Sequence, residues 1–93
     1  MGTIREFDAA KFLTTPESIS EYLSAALEAN NPELFLLALG DVARSSGIKS
    51  IAETSGLGRE SLYKSVSPGR KPRFETVMRI LGSLGVQLTT KAT

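Results

Sequence analysis

Residues 48–66 constrain the fold more than any other part of the chain, because their apolar and small residues have the spacing of two short helices joined by a tight turn. Ala52 is small enough to let the two helices cross closely, and Gly56 can adopt the positive φ that a sharp turn between helices requires. Leu57, Leu62 and Val66 supply the apolar side that packs on the core. This pattern is typical of a helix-turn-helix.

The second helix of this pattern is expected to present its polar side to solvent. A helical projection places polar residues opposite or beside Leu62 and Val66. In a DNA-binding helix-turn-helix, such residues reach base edges in the major groove. The predicted base-contacting residues are Arg59, Glu60, Ser61, Tyr63 and Lys64. The alternative is that Glu60 and Lys64, four residues apart, only form an ion pair on a solvated helix.

Phosphate contacts are expected from basic and hydroxyl side chains around the two helices, because such groups bind the DNA backbone without reading its sequence. They stand before the first helix and in the turn-rich loop after the second. The predicted phosphate-contacting residues are Lys49, Ser50, Ser65, Ser67, Arg70, Lys71 and Arg73. The alternative for the loop residues is an ordinary solvated surface.

The net charge of +1 hides an uneven distribution of charged residues. Residues 1–41 contain two basic and seven acidic side chains, a net charge of −5, whereas residues 42–93 contain nine basic and three acidic ones, a net charge of +6. The basic part includes the helix-turn-helix, which favours a polyanion as its partner and a basic partner for the acidic part. The alternative is a solvated surface on which charges are scattered by chance.

Composition excludes several classes of function. The chain has no Cys and no His, which excludes thiolate and imidazole metal sites, cysteine nucleophiles and Ser-His-Asp triads. No apolar run approaches the roughly 20 residues of a membrane span, and the first residues lack the apolar stretch of a signal peptide. With 93 residues the chain has room for one core. We therefore expect a single cytoplasmic domain with no enzymatic activity, no cofactor and no metal.

Helix signals on both sides of the motif predict an all-α fold of five helices. Two of these helices are opened by a capping residue followed by proline, at Thr15-Pro16 and at Asn31-Pro32. A minimal strand pairing of residues 86–88 with residues 4–7 is a further expectation. The predicted segments are an N-terminal arm (1–13), two helices on the acidic side (15–46), the helix-turn-helix (48–67), the last helix (74–84) and a loose tail (89–93).

Apolar spacing also predicts which residues of the flanking helices face the core. The helix that begins at Asn31-Pro32 is apolar on nearly every side, which predicts a central position. Its apolar residues are Leu34, Phe35, Leu37, Ala38, Leu39 and Val42. The inward residues predicted for the last helix are Phe74, Val77, Met78, Leu81 and Leu84. Ile80 lies beside this stripe and is either a dimer contact or part of a wider core face.

Nearly the whole chain resembles the addiction-module antidote proteins, small antitoxins of the HigA-like kind. The segments that carry the resemblance are residues 8–13, 19–29, 38–44 and 56–64. The most specific is Gly56-Leu57-Gly58-Arg59-Glu60-Ser61-Leu62-Tyr63-Lys64, together with the preceding Leu39-Gly40-Asp41. Residues 72–77 and 84–86 also look like the end of a Cro or phage-repressor domain. One departure is Gly58, where relatives often have serine.

The resemblance implies a five-helix domain of the lambda-repressor-like helix-turn-helix type. It also implies a protein that binds the operator of its own operon and sequesters a small RelE-superfamily toxin encoded beside it. Toxins that bind ribosomal RNA tend to be basic, so acidic residues are candidates for facing the toxin. These are Glu17, Glu21, Glu28 and Glu33. The alternative is that these carboxylates only solubilise the helices and favour their starts.

These observations together predict an antitoxin that binds double-stranded DNA, acts as an autorepressor and works as a homodimer. The dimer is expected because one helix-turn-helix reads only a few base pairs, so such domains usually bind two half-sites. Two other functions remain open. One is a stand-alone phage-type or plasmid repressor without a toxin. The other is a protein-interaction module that uses the helix-turn-helix as a scaffold.

Overall fold

The computed structural model describes residues 15–93, and this part of the chain contains five helices. They are α1 (Pro16–Glu28), α2 (Pro32–Ser46), α3 (Ile48–Ser55), α4 (Arg59–Val66) and α5 (Phe74–Ser83). The all-helical class and the five helices predicted from the sequence are confirmed. Each observed helix lies within the segment predicted for it.

The starts of α1 and α2 are fixed by side chains that bind backbone amides. Thr15 precedes α1, and its Oγ1 accepts a hydrogen bond from the Ser18 amide at 3.1 Å while the Ser18 hydroxyl accepts one from the Thr15 amide at 3.2 Å. Asn31 Oδ1 accepts from the Glu33 amide at 3.0 Å at the start of α2. Because the first amides of a helix have no partner within it, these bonds and the prolines that follow determine where both helices begin.

The core lies where α3 meets its neighbours. This short helix packs against α2, α4 and α5, while α1 packs on α2 and α2 also contacts α4. The largest side chains with almost no exposure are Leu39, Val42, Leu62, Ile80 and Leu81. Every helix contributes to a single cluster of buried apolar residues. Burial of this apolar surface is the main stabilising term of the fold.

The predicted inward face of α5 is wrong at two positions. Phe74 is 69% exposed and Met78 is 40% exposed, whereas Ile80 is fully buried. The buried residues Val77, Ile80 and Leu81 define a face that is rotated away from Phe74 and Met78 by roughly one residue's turn of the helix. The neighbour on this buried face is α3, and α3 covers only part of the apolar arc of α5. Ile80 therefore belongs to the core and is not a dimer contact.

The predicted central position of α2, with nearly every side covered, is also wrong in part. Phe35, Ala38 and Leu39 are buried, but Leu34 is 42% exposed and Leu37 is 47% exposed. The helices that contact α2 are α1, α3 and α4, and they leave this flank of its first half uncovered. The α1–α2 pair therefore has apolar side chains on its surface.

A glycine in the left-handed conformation ends α5, and the predicted short strand after it does not form. Gly85 has a φ of 80°, and the amide of Val86 donates to the carbonyl of Leu81 at 3.1 Å. Residues 86–88 are not in a strand, although Val86 and Leu88 pack on the core. Their predicted partners, residues 4–7, and the predicted arm fall outside the described part of the chain. Residues 89–93 are exposed and have no regular secondary structure.

Candidate nucleic-acid interface

A three-residue turn redirects the chain between α3 and α4. Gly56 has a left-handed φ of 81°, and Gly58 is extended with φ −71° and ψ 159° directly before α4. Between them Leu57 is partly buried against the core, and its amide donates to Ser55 Oγ at 3.2 Å. Ala52 is buried where α3 meets its neighbours. The turn therefore sets α4 at an angle to α3.

One side of α4 is anchored in the core and the other is open to solvent. Leu62 is fully buried and Val66 is 6% exposed. The residues predicted to contact bases, Arg59, Glu60, Ser61, Tyr63 and Lys64, are all exposed. They thus share one helix whose rotation is fixed by two buried anchors. This arrangement can present hydrogen-bonding groups to a partner without disturbing the core.

The basic residues around α4 are exposed and have no acidic partner in the described part of the chain. Residues 48–73 contain six basic and two acidic side chains, a net charge of +4. The single ion pair found among residues 15–93 joins Asp41 and Arg44, outside this segment. The exposed basic residues here are Lys49, Arg59, Lys64, Arg70, Lys71 and Arg73. Within residues 15–93, no carboxylate pairs with these positive charges.

The predicted hydroxyl contacts divide into two groups. Ser50 is exposed on the first turn of α3. Ser65 and Ser67 are half-buried, and their hydroxyls donate to the carbonyls of Ser61 at 2.9 Å and of Tyr63 at 2.6 Å. A phosphate contact that uses either proton first has to break this bond. Ser50 is therefore better placed to donate to a phosphate than Ser65 or Ser67.

The last turn of α4 is held by a side-chain cluster from α1 and α2 that the sequence analysis did not identify. Arg44 Nη1 donates to the Val66 carbonyl at 3.3 Å, and Arg44 Nη2 lies 3.2 Å from Asp41 Oδ1. The Tyr22 hydroxyl donates to Asp41 Oδ2 at 3.1 Å. We call these three side chains the Arg44 clamp. It links α1, α2 and the end of α4 through hydrogen bonds.

A glycine makes room for the clamp. A Cβ atom on Gly40 would lie 2.8 Å from the Val66 carbonyl oxygen, a distance that side-chain carbons do not adopt. Gly40 and Arg44 are four residues apart on α2, so both meet the end of α4 from one face. The signal in the sequence was a glycine inside a strongly apolar helix, followed by aspartate and arginine.

The clamp also changes the acidity of its tyrosine. Partial burial raises the pKa of Tyr22 above its ordinary value of 10.0, and the negative charge of Asp41 and the hydrogen bond to it raise this pKa further. All three effects favour the protonated hydroxyl, which is the form that can donate to Asp41.

The four acidic residues predicted to face a toxin are exposed but lie in two places. Glu17 and Glu21 border a shallow open cleft of ≈ 610 Å³ between the start of α1 and residues 85–87. Glu28 and Glu33 lie at the turn between α1 and α2. Glu17 and Glu28 are about 16 Å apart along α1 at the usual helical rise of 1.5 Å per residue. The structure therefore does not bring all four together.

Comparison with known proteins assigns a family to this arrangement. Residues 3–92 match the family described as "probable addiction module antidote protein". The chain belongs to this family. A protein of Haemophilus influenzae (strain ATCC 51907 / DSM 11121 / KW20 / Rd), named only as uncharacterized, is 43% identical over 84 residues, which cover 90% of this chain and 87% of the relative. No solved structure gives a significant match.

Membership in the antidote family makes the chain an antitoxin of a toxin–antitoxin module, and an antitoxin has a toxin as its partner. The match covers the acidic α1–α2 pair as well as the basic segment around α4, so both belong to the antidote domain. No helix among residues 15–93 is long and apolar enough to cross a membrane.

Proposed function

We propose that this antitoxin is a sequence-specific DNA-binding protein that represses its own operon as a homodimer and neutralises a RelE-superfamily toxin in the cytoplasm. It has no enzymatic activity in this proposal. The observation that carries the DNA part is the exposed polar side of α4, which follows a sharp turn and lies among basic residues that have no acidic partner in residues 15–93. The α3–α4 pair then acts as a helix-turn-helix.

Base recognition in this proposal comes from the exposed side chains of α4. Arg59 can donate two parallel hydrogen bonds to O6 and N7 of guanine, and Glu60 can accept one from the amino group of cytosine. Lys64, one turn further on, can reach a second guanine as a single donor, and Tyr63 can contact a sugar, a phosphate or a thymine methyl group. Ser61 contributes a short hydroxyl on the same exposed side.

Phosphate binding comes from the groups on either side of α4. Lys49 and Ser50 are exposed on the first turn of α3, and the basic residues of the loop at 70–73 follow α4 directly. No side chain caps the start of α4 within the described residues, so its first backbone amides remain free to donate to a phosphate oxygen. These contacts position the protein on DNA and supply much of its affinity.

Toxin binding is assigned to the α1–α2 pair. Residues 16–41 contain five acidic and no basic side chains. At the turn between the two helices, Glu28 and Glu33 occur close in sequence to Leu27 and Leu34, which are 45% and 42% exposed. A surface that combines carboxylates with exposed leucines can bind a basic protein through both charge and apolar contact. The RelE-superfamily assignment of that protein comes from the family resemblance.

The DNA part is tested by measuring binding to the region upstream of the gene by fluorescence anisotropy. Arg59→Ala with Lys64→Ala should weaken binding about 100-fold or more, since each base contact contributes about 1–3 kcal/mol. Lys91→Ala is the matched control, because Lys91 is an exposed basic residue in the tail, away from α4. Wild-type DNA binding that the double variant leaves unchanged would contradict the assignment of α4.

The toxin part is tested with the product of the neighbouring gene. Glu28→Lys with Glu33→Lys should weaken the complex in isothermal titration calorimetry, whereas the control Glu53→Lys on α3 should not. The pair Glu17→Lys with Glu21→Lys tests the cleft at residues 85–87 instead. Weaker toxin binding in this pair alone would place the toxin contact at the cleft and not at the α1–α2 turn. If no pair of reversals affects the complex, the acidic residues are not the toxin contact. If no neighbouring product binds, the repressor function stands without this toxin.

A further inference from the structure

The solvent-facing side of α5 has an unusual composition for an exposed helix face. Phe74 and Met78 are exposed and one turn apart, and Gly82 follows after one further turn. No heavy atom outside its own segment lies within 4 Å of the position that a Cβ on Gly82 would occupy. The face therefore has two apolar side chains followed by an open hollow.

Two opposite charges flank this apolar stripe. Glu75 and Arg79 are exposed and four residues apart, on the same edge of the solvent-facing side of α5. Neither forms an ion pair within residues 15–93. One end of the flank is thus negative and the other positive, and both charges are available to a partner.

We infer that this face of α5 is the contact between two copies of the chain, packed antiparallel about a two-fold axis near Met78. The inference deepens, and rests on, the homodimer of the proposed function and on no other part of it. The surface formed by Phe74, Met78, Gly82, Glu75 and Arg79 is called the α5 face below.

The spacing of residues on α5 makes this face self-complementary. Phe74 and Gly82 lie four residues on either side of Met78, about 6 Å along the helix axis in each direction. A two-fold axis perpendicular to α5 therefore brings Phe74 of one copy over the hollow at Gly82 of the other. Met78 of one copy then meets Met78 of the second copy at the centre.

The charged flank obeys the same symmetry. A two-fold axis perpendicular to both helices and parallel to the interface places equal flanks on the same side, with their directions reversed. With the axis between positions 77 and 78, Glu75 of one copy lies within about one residue's rise of Arg79 of the second copy, whereas the two Arg79 residues are about three residues' rise apart. Each ion pair occurs twice in the dimer. A parallel arrangement would place the charged flanks on opposite sides of the contact and would leave them unpaired.

The α5 face fits a second copy better than it fits DNA or a strongly charged protein. Its two charges cancel, so it offers no net attraction to a polyanion or to a basic toxin. Its apolar residues contribute favourable free energy only when an apolar surface covers them and removes them from water. The same residues on a second copy supply such a surface.

Sedimentation velocity of the full chain over a range of concentrations tests this inference. Glu75→Arg alone and Arg79→Glu alone should each raise the dimer dissociation constant about tenfold, because each introduces a like-charge contact twice. The combined Glu75→Arg and Arg79→Glu variant should restore it to within about threefold of wild type, since the pairs are re-formed with reversed sign. Glu53→Arg on α3 is the control and should leave dimerisation unchanged.

An apolar substitution gives an independent test. Phe74→Ser should raise the dissociation constant at least about tenfold without loss of helical circular dichroism, because the side chain is exposed in the single copy. Leu37→Ser, which removes a similarly sized side chain that is 47% exposed on α2, is the matched control and should have no effect.

The outcomes separate this inference from the rest of the proposed function. If the wild-type protein dimerises and Phe74→Ser leaves the dimer dissociation constant unchanged, the α5 face is not the contact. The same conclusion follows if the double charge reversal raises the dissociation constant as much as the single reversals do. A monomer at all concentrations overturns it as well, even if that monomer binds DNA. Loss of toxin binding in Phe74→Ser with an unchanged dimer assigns the face to the toxin instead. A dimer that responds as expected but does not bind DNA leaves this inference intact and overturns the DNA part.

Discussion

At the scale of single residues, the last turn of α4 depends on two residues of α2, Gly40 and Arg44, that meet the carbonyl group of Val66. Gly40 leaves space for the Val66 carbonyl, and Arg44 donates a hydrogen bond to it at 3.3 Å. A larger residue in place of Gly40 would displace the last turn of α4, and a shorter residue in place of Arg44 would remove the hydrogen bond that holds it. The position of the exposed residues on α4 therefore depends on side chains that do not belong to that helix.

Gly40→Ala is expected to destabilise the fold by about 1–2 kcal/mol. Overpacking costs about 1–3 kcal/mol, and the better helix propensity of alanine returns up to about 1 kcal/mol. Gly82→Ala on α5 is the matched control for the single copy, because a Cβ there meets no atom of the same chain within 4 Å and should stabilise the monomer by up to about 1 kcal/mol. Both are measured by urea unfolding at one protein concentration below the dimer dissociation constant. Equal effects of the two substitutions would contradict the close contact at Gly40.

The raised pKa of Tyr22 predicts a loss of stability at alkaline pH. The contribution of Tyr22 is fully present below its unfolded-state pKa of 10.0 and is lost as the pH rises through the higher pKa of the folded state. Tyr22→Phe should remove this part of the pH dependence of the free energy of unfolding.

A direct titration of Tyr22 is possible because the chain has two tyrosines. In a Tyr63→Phe background, the ultraviolet absorbance of the phenolate reports Tyr22 alone. Its midpoint should lie above 10.0, and Asp41→Asn should lower it by removing the negative charge. A midpoint that Asp41→Asn leaves unchanged would show that burial alone sets this pKa.

At the scale of the helix, α4 is too short to be stable by itself. It contains eight residues, and isolated helices shorter than about 12–15 residues are marginal in water. Its conformation is therefore maintained by the buried Leu62 and Val66, by the turn before it and by the Arg44 clamp at its end. The exposed side chains of α4 are therefore not needed to hold the helix in place.

The two glycines of the turn are expected to respond oppositely to substitution. Gly56→Ala should cost about 1–2 kcal/mol, because a side chain is strained at the left-handed φ of 81°. Gly58→Ser should stabilise by about a few tenths of a kcal/mol, because Gly58 has an extended conformation and a serine hydroxyl can cap α4. Thermal unfolding of both variants measures this contrast. Similar losses at both positions would mean that the turn conformation does not depend on Gly56.

At the scale of the whole molecule, charge is divided between two sets of helices. The segment 16–41, which covers α1 and most of α2, is purely acidic, and the segment around α3 and α4 is basic. The Arg44 clamp joins the two sets, since Tyr22 belongs to α1 and Val66 to α4. The proposed toxin and DNA contacts therefore occupy different helices of one continuous core.

The salt dependence of DNA binding measures the size of the phosphate contact. If about five basic groups neutralise phosphates in each copy, the slope of log K against log salt concentration should be about −4 to −5 per half-site. Arg70→Ala with Lys71→Ala should reduce the magnitude of that slope by about 2, whereas Arg59→Ala should mainly relax base preference. A slope near zero would contradict the phosphate contacts.

The number, type and limits of the helices are predictable from the amino-acid sequence, because these depend on interactions between near neighbours in the chain. Thr15 and Asn31 fix helix starts through bonds to amides two or three residues away, and Gly56 permits the turn through its own backbone. The spacing of Leu62 and Val66 likewise predicted which side of α4 is buried, since one neighbouring surface covers that side.

Which apolar residues are covered depends on how helices that are distant in the chain pack together, and periodicity does not predict it. On α5 the apolar residues span an arc wider than one neighbouring helix can bury, so packing against α3 selected Ile80 for the core and left Phe74 and Met78 exposed. The Arg44 clamp has the same origin, because its bond to Val66 joins residues 22 positions apart. Periodicity specifies the direction of a side chain from its helix, whereas the packing of other helices determines what that side chain meets.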